Sequence, residues 1–433
     1  MTYHNATKFL LQAPEDLPEV VAGTRIRTLW EALGQPQRNL KYIRLAGSSG
    51  KTVCAEMLVS CFKQSTFTVG CLITPLRQEI RENIRINGTP LSFEQMATYV
   101  EQIYRGVGSI NASTAYDAEE TEPREESQNA VPFQLTRHEI LLTAALLAFR
   151  DRHCDFCILE SDHTHADATR FLPAPFSAAI CGTIPSEDRK EIGRIRSYIG
   201  HGIQEIVSAP QNQDAYRIIS DTCASINCRL TIPTKSTLEI HRISLSGSEF
   251  SYRGHSYRLS LCGKFQVTNA IVVLEILEML ARRGFGLTYE QITIGLHHTK
   301  IPAKFEILSV SPTIIADSTH SEVAVETVCD SMAEFRSLIG SKVRLCLPEQ
   351  SLADRYSAVL IEKQYEIEQT ILFDEPESIE ITSKASQTAH NKRVVELIKQ
   401  ALKDLSADTI LLISGSYPFT SEIRYELLKK LGY

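Results

Sequence analysis

The segment from Tyr42 to Val53, YIRLAGSSGKTV, restricts the possible folds more than any other part of the chain. Tyr42 to Ala46 reads as a short buried strand and Gly47 to Thr52 as a tight glycine-rich turn. Cys54 to Phe62 then carries apolar residues at helical spacing (Met57, Leu58, Cys61, Phe62). A strand that enters a helix through such a turn can cradle a polyphosphate, because the glycines let backbone N–H groups approach the phosphates. In this arrangement Gly47, Ser48, Ser49 and Gly50 line the loop, Lys51 reaches the β- and γ-phosphates, and the Thr52 hydroxyl holds Mg²⁺. Leu45 stands where the longer form of the loop has a glycine, so this is a shorter G-x-x-G-K-[ST] variant. The alternative is an ordinary strand-to-helix turn with a surface lysine. The strand–turn–helix context favours phosphate.

At 433 residues the chain is too long for one typical core, which predicts two domains. Its 43% hydrophobic and 22% charged residues fit a globular protein. A net charge of −7 gives no reason to expect nucleic acid or an anionic membrane as partner. No apolar run is long enough to span a bilayer, and the N-terminus lacks a basic-then-apolar signal. The 11 cysteines are scattered, mostly in apolar segments, as expected of buried thiols in a reducing cytoplasm.

Thr24 to Leu33 reads as an amphipathic helix, Thr68 to Thr74 as a strand stopped by Pro75, and Asn87-Gly88 as a turn. Ser92 and Gln95 form a candidate capping box leading into a helix through Tyr104. The stretch 106–134, rich in Ser, Ala, Asn, Glu and Gly, reads as a solvated flexible insertion. Arg137 to Arg150 is an apolar helix. Strands follow at Phe156–Glu160, Ala178–Cys181 and Ile203–Ala209, then a helix from Asp214 to Ile226. Leu238 to Leu261 alternates like antiparallel strands, and Asn269 to Arg283 is a long helix. Strands alternating with helices predict a mainly parallel sheet covered on both faces. A second α/β set follows Ile301-Pro302, with strands at Thr313–Asp317, Val343–Leu347, Thr370–Phe373 and Thr409–Ser414. Helices are expected at Glu322–Met332, Asn391–Leu405 and from Ser421. The expected layout is residues 1–300 and 301–433, with a ligand gripped between the two domains.

These residues resemble the folylpolyglutamate synthase/dihydrofolate synthase branch of the Mur ligase superfamily, nearly end to end. Leu33 to Gln37 followed by Tyr42 to Gly47 is similar to the family's LGNPQ … IHVAGTNGKGS, and Arg81 to Gly88 is close to RERIRING. Gly263 to Ala270 resembles GxHQxxNA, and Gly295 to Glu306 resembles GLxxTxWPGRFE. Asp317 to Ser321 stands where the family has DGAHN. Asp408 to Ser416 with Glu422 to Arg424 matches the closing DDTLLVTGS … EVR. The resemblance implies an α/β, Mur-ligase-like fold: a P-loop doubly wound ATPase domain and a smaller C-terminal Rossmann-like domain. It implies a ligase that uses ATP and Mg²⁺ to join glutamate to a folate-type carboxylate through an acyl phosphate. By the same resemblance, Lys51, Glu160, Lys304 and His320 are catalytic, and Asn269, Lys304 and Asp317 join the phosphate loop in holding the nucleotide. Thr52, Thr74 and Glu160 are ligands for Mg²⁺. Glu160 also closes a buried strand; its alternative is a carboxylate satisfied by backbone N–H groups.

The chain also departs from the family. The loop GLGGRLDATN is here Ser161 to Arg170, keeping Asp167, Ala168 and Thr169 without the glycines. The GLDH histidine has no counterpart near Pro185 to Asp188. The EKAGI lysine, which is carbamylated and holds a second metal, falls near Ile195; a neighbouring arginine stays protonated and cannot replace it. The histidine after Pro75 is absent, and DGAHN keeps Asp317 and His320 but not its asparagine. His163 and His165, beside Asp162 and Asp167, are candidate ligands for a rebuilt metal site, or a drifted polar loop. The lone C-x-x-C at Cys154 and Cys157 reads as buried thiols better than as a zinc site. A monomeric cytoplasmic enzyme is expected. Two alternatives remain: a Mur-type ligase for a different carboxylate, and a non-catalytic nucleotide-binding paralogue.

Overall fold

The protein is described by a computed structural model covering residues 1–18, 22–47, 49–74, 77, 79–120, 133–161, 167–173, 177–184, 193, 198–199, 202–318, 322–373 and 384–431. It divides into two compact units. One holds Met1–Thr234 and Thr268–Gly295, the other Lys235–Val267 and Leu296–Tyr433. Where the sequence suggested one break near Ile301, the segment 235–267 groups instead with the C-terminal residues.

The first unit is built on an eight-stranded sheet ordered β4-β3-β2-β5-β1-β6-β7-β8. Its strands are β1 (Tyr42–Ala46), β2 (Val69–Leu72), β3 (Ile84–Ile86), β4 (Thr89–Pro90), β5 (Phe156–Glu160), β6 (Ser177–Ile180), β7 (Glu205–Ser208) and β8 (Arg229–Thr231). β2, β5, β1, β6, β7 and β8 run parallel; β3 and β4 form an antiparallel edge. β1 and β5 are buried at every position, which is why they read as continuous apolar runs. Arg44 is the exception inside β1. Its guanidinium is taken up by backbone carbonyls, Thr169 O at 3.4 Å and Tyr198 O.

The helices of this unit are α1 (Tyr3–Gln12), α2 (Ala22–Ala32), α3 (Lys51–Phe62), α4 (Phe93–Glu120), α5 (Arg137–Asp151), α6 (Gln213–Ser225), α7 (Lys264–Arg282) and α8 (Tyr289–His298). Boundaries between the units fall inside α7, after Val267, and inside α8, after Gly295. Ser92 and Gln95 form the expected reciprocal cap of α4, with Ser92 N–H donating to Gln95 Oε1 at 2.9 Å and Gln95 N–H to Ser92 Oγ at 3.1 Å. The loop expected from Gly106 is a correction: α4 continues helically to Glu120. Val107 and Ile110 extend the apolar stripe of Val100 and Ile103 and pack on the same core, which outweighs the poor helix propensity of Gly106 and Gly108. Residues 121–132 of the expected insertion lie outside the described residues. Trp30, Tyr42 and Phe149 anchor the core between α2, α5 and the sheet, and Trp30 Nε1 donates to Thr143 Oγ1 at 3.1 Å.

The second unit contains two sheets. β9 (Leu238–Ser244), β10 (Gly247–Tyr252) and β11 (His255–Leu259) form the antiparallel set that the alternation predicted. β12 (Glu306–Val310), β13 (Thr313–Asp317), β14 (Lys342–Leu347), β15 (Glu366–Leu372) and β16 (Thr409–Ser414) are ordered β12-β13-β16-β14-β15, parallel except for β12. Its helices are α9 (Glu322–Glu334), α10 (Arg336–Ile339), α11 (Gln350–Glu362), α12 (Lys384–Leu402) and α13 (Tyr417–Leu431). α13 starts before Ser421, because Pro418 is tolerated in a first helical turn. Ile243, Leu245, Cys262 and Phe265 pack on the same core as Val343, Leu345 and Tyr356, which joins the inserted segment to this unit.

Candidate functional site

The described residues of the loop after β1 have backbone features that suit an anion cradle. Gly47 sits at φ 117, where a Cβ would strike the Cys181 carbonyl oxygen. Gly50 is the N-cap of α3 in the left-handed region, at φ 76, and offers no side-chain cap. Gly50 therefore covers none of the first-turn N–H groups of α3 with a side chain, and a helix start of this kind suits an anion. Lys51 is buried, with Nζ donating to Gly47 O at 2.6 Å, so its ammonium lies within the loop. Ser49 packs against Gly182, where any side chain would displace it. Ser48 lies outside the described residues. Asn269, on α7, approaches the same loop: a Cβ on Gly50 would be 2.5 Å from its Oδ1. Its backbone carbonyl accepts a hydrogen bond from Cys54 Sγ at 3.8 Å.

The second component is a carboxylate at the C-terminal end of β5. Parallel pairing of β1 with β5 sets Leu45 beside Glu160, and pairing of β2 with β5 sets Leu72 beside Leu159. Glu160, Thr52 and Thr74 therefore gather at the strand ends, where open α/β sheets bind ligands. Thr52 Oγ1 donates to Glu160 Oε1 at 3.0 Å and to Oε2 at 3.1 Å. Thr74 meets Glu160 through its backbone N–H, at 3.3 Å from Oε2. Thr74 thus orients the carboxylate, a backbone role that the sequence does not reveal. A buried carboxylate and a hydroxyl converging as oxygen donors suit a hard divalent cation such as Mg²⁺.

Residues given no role from sequence hold this corner. Asn83, fully buried, donates Nδ2–H to Ile73 O at 2.7 Å and accepts Arg77 N–H on Oδ1 at 2.9 Å, pinning both sides of the segment around Thr74. Glu56 of α3 accepts from Arg77 at 3.3 Å and from Arg85 at 3.1 Å. Asn83 and Arg85 both belong to the RENIRING stretch, so the signal was present in the motif.

Asp167 of the retained Asp-Ala-Thr accepts from Thr169 N–H at 3.0 Å and Oγ1–H at 2.6 Å, with His138 Nε2 at 3.6 Å. Burial alone would raise its carboxyl. His138, Thr169 and Arg44 outweigh that and hold it below the ordinary range. His163 and His165 lie outside the described residues. Among the described residues, no group of three or more His, Cys, Asp or Glu side chains is placed to hold a metal. Cys154 and Cys157 are buried thiols; burial pushes Cys154 up to about 12 and Cys157 well above its usual value.

In the second unit the loop before β12, which carries Lys304, meets the end of β13 at Asp317. Lys304 Nζ donates to Ser318 O at 3.2 Å, and Asp317 Oδ2 accepts Phe305 N–H at 2.6 Å. Ala303 and Phe305 take φ 54 and 49, a left-handed conformation held from two sides. Ser318 N–H donates to Ala303 O at 2.7 Å, and Ala303 N–H to Glu306 Oε2 at 2.8 Å. Arg424 grips Glu306 with Nε at 2.5 Å and Nη2 at 2.7 Å. Glu306 and Arg424 both lie in motifs quoted from the sequence, without roles there. His320 lies outside the described residues.

No family model matches the chain. It is 26% identical over 353 residues to a probable bifunctional folylpolyglutamate synthase/dihydropteroate synthase of Halobacterium salinarum, covering 77% of this chain and 40% of that protein. The chain thus spans less than half the length of this relative. It is 24% identical over 426 residues to a dihydrofolate synthase/folylpolyglutamate synthase of Bacillus subtilis, covering 93% and 94% of the two chains. Folylpolyglutamate synthetase from Lactobacillus casei superposes with a TM-score of 0.75 at 19% identity, over 99% of this chain and 100% of that one. Mycobacterium tuberculosis folylpolyglutamate synthase, in complex with ADP and AMPPCP, superposes with a TM-score of 0.71 at 19% identity over 98% of each chain. These structural likenesses establish the fold. Among the described residues no helix is long and apolar enough to cross a membrane.

Proposed function

The chain belongs to the folylpolyglutamate synthase/dihydrofolate synthase family, and on that premise we propose that it is an ATP-dependent ligase joining glutamate to a folate-type carboxylate. The observation that carries the reading is the contact of Thr52 with both oxygens of Glu160, beside the uncapped start of α3 and the buried Lys51. The first-turn N–H groups of α3 bind the phosphates, and Lys51 neutralises the β- and γ-phosphoryl charge. Thr52 and Glu160 would hold Mg²⁺, which when bound adds further neutralisation at those oxygens. Thr74 fixes the orientation of Glu160 through its N–H. In the C-terminal unit the cationic role falls to Lys304, on the loop that Asp317 fastens.

A substrate carboxylate oxygen attacks the γ-phosphorus and the bond to the β–γ bridging oxygen breaks, giving an acyl phosphate and ADP. The glutamate amine then attacks the acyl carbon, phosphate leaves, and the amine proton is lost to solvent. The first unit carries the nucleotide groups, and all the proposed residues lie in one chain, so a monomer suffices.

The test is mass spectrometry of reactions containing the full chain, Mg²⁺, ATP, glutamate and either dihydropteroate or tetrahydrofolate. A product heavier by one glutamyl residue, with matching ADP, is expected. ATP binding with no glutamylated product from either acceptor would overturn the reading.

A further inference from the structure

The C-terminal end of α6 closes on two cysteines. Asn227 adopts φ 56, its N–H donates to Ala224 O at 3.3 Å, and Cys228 N–H donates to Cys223 O at 2.8 Å. These are the two hydrogen bonds of a Schellman closure, in which one left-handed residue turns the chain back over the last helical turn. The closure brings together the side chains of the residue after the turn and the residue whose carbonyl it meets. Here both are cysteines. With standard bond lengths, the 2.8 Å hydrogen bond keeps their Cα atoms within about 6.7 Å, inside the span of a disulfide. The two thiols face each other closely enough that their interaction lowers Cys228 below the usual thiol range and pushes Cys223 far above it, while Cys228 Sγ also donates to Arg229 O at 3.8 Å.

We propose that Cys223 and Cys228 form an oxidisable dithiol, a modification site that hydrogen peroxide converts to a disulfide. The Cys228 thiolate attacks one peroxide oxygen, the O–O bond breaks, and the departing hydroxide takes up a proton to leave as water. Cys223 sulfur then attacks the Cys228 sulfenic sulfur, an S–S bond forms, and the second hydroxide leaves with the Cys223 proton as water. Two thiols are oxidised by two electrons and one peroxide is reduced to two waters.

The surroundings favour this pair over the other cysteines. Burial raises the thiols of Cys61, Cys71, Cys154, Cys262, Cys329 and Cys346, which leaves little thiolate at neutral pH. Cys54 is fully buried behind the phosphate loop, and its hydrogen bond to Cys181 raises it too. Cys223 and Cys228 are buried too, but they lie where a helix end meets β8, the outermost strand, and helix ends open readily.

Trypsin cleaving after Arg217 and Arg229 releases both cysteines, and no other, in one peptide. The full chain is treated with hydrogen peroxide, alkylated, digested and weighed. That peptide should lose both alkyl groups and weigh two hydrogens less, roughly tenfold or more ahead of oxidation at the other cysteines. Dithiothreitol should restore both alkylation sites. Cys223→Ser should leave a Cys228 sulfenic acid that dimedone traps; Cys228→Ser should leave Cys223 alkylatable after peroxide. If the wild-type peptide keeps both alkyl groups, or carries a sulfinic acid at Cys228 beside an alkylated Cys223, the proposal is overturned.

Discussion

Gly50 and Asn269 stand so close that a methyl group on the glycine would lie 2.5 Å from the Asn269 Oδ1. The glycine also holds φ 76, a backbone region that costs an L-residue about 1–2 kcal/mol. Gly50→Ala should therefore strain the loop and displace Asn269 together. Calorimetric ATP affinity should fall roughly tenfold, equivalent to about 1.4 kcal/mol. Adding Asn269→Ala removes the collision but not the φ strain, so the double variant should lose less than the sum of the two single ones. Additive losses would show that the two residues do not interact.

Glu160→Gln keeps an acceptor for Thr52 Oγ1 and Thr74 N–H while removing the negative charge. The fold should be retained, with the unfolding midpoint close to wild type. ATP turnover in the complete ligase assay should drop about 100- to 1000-fold, or about 2.7–4 kcal/mol in the barrier. Unchanged turnover would remove Glu160 from the chemistry and leave it as a carboxylate satisfied by its neighbours.

Phe305 is a bulky residue held at φ 49, and Asp317 accepts its N–H at 2.6 Å. Asp317→Ala leaves that N–H without its charged acceptor and should cost about 2–3 kcal/mol. Asp317→Asn retains an acceptor oxygen and should cost less than about 1 kcal/mol. Urea titrations of the two variants give the comparison, and equal losses would place the stabilisation elsewhere.

Arg25 and Glu139 form a buried ion pair at 2.9 Å, and the same carboxylate accepts Thr136 N–H at 2.7 Å to cap α5. Removing the carboxylate strands the arginine and one half of the capping box, while Thr136 Oγ1 still accepts the N–H of residue 139. Glu139→Ala should lose about 3–5 kcal/mol by denaturant unfolding. Arg25→Met with Glu139→Gln removes both charges and should be less destabilised than Glu139→Ala alone. The opposite ranking would show that stranding Arg25 is not what destabilises Glu139→Ala.

The readable parts of the chain are those whose physics is local. β1, β5, β13 and β16 fall on the expected residues because strands buried on both faces become uninterrupted apolar runs. The placement of Lys51 and Thr52 at a helix start and of Glu160 at a strand end was legible because a loop motif and a strand pattern fix those positions. α4 beyond Gly106 was not. Two glycines and several small polar residues signal a loop, and only the tertiary contacts of Val107 and Ile110 reverse it. α7 begins at Lys264, earlier than expected, because its first turn lacks a clear apolar period. The hold of Thr74 on Glu160 uses a backbone N–H, which any residue type can supply. The Glu306–Arg424 pair and the grouping of 235–267 with the C-terminal unit join residues far apart in sequence, and no local pattern records such contacts.

The grouping of 235–267 also governs how the molecule is made. A ribosome releases the chain from its N-terminus, yet the first unit lacks Thr268–Gly295 until after the whole of 235–267 has emerged. Those three strands must then wait, apart from the core that Ile243, Leu245 and Phe265 cover, until translation nears its end. Neither unit can be excised with a single cut, and a gene split at any one codon separates at least one of them from part of itself. The first unit can close only once Gly295 has emerged, and a product that stops there leaves 235–267 without the core it covers.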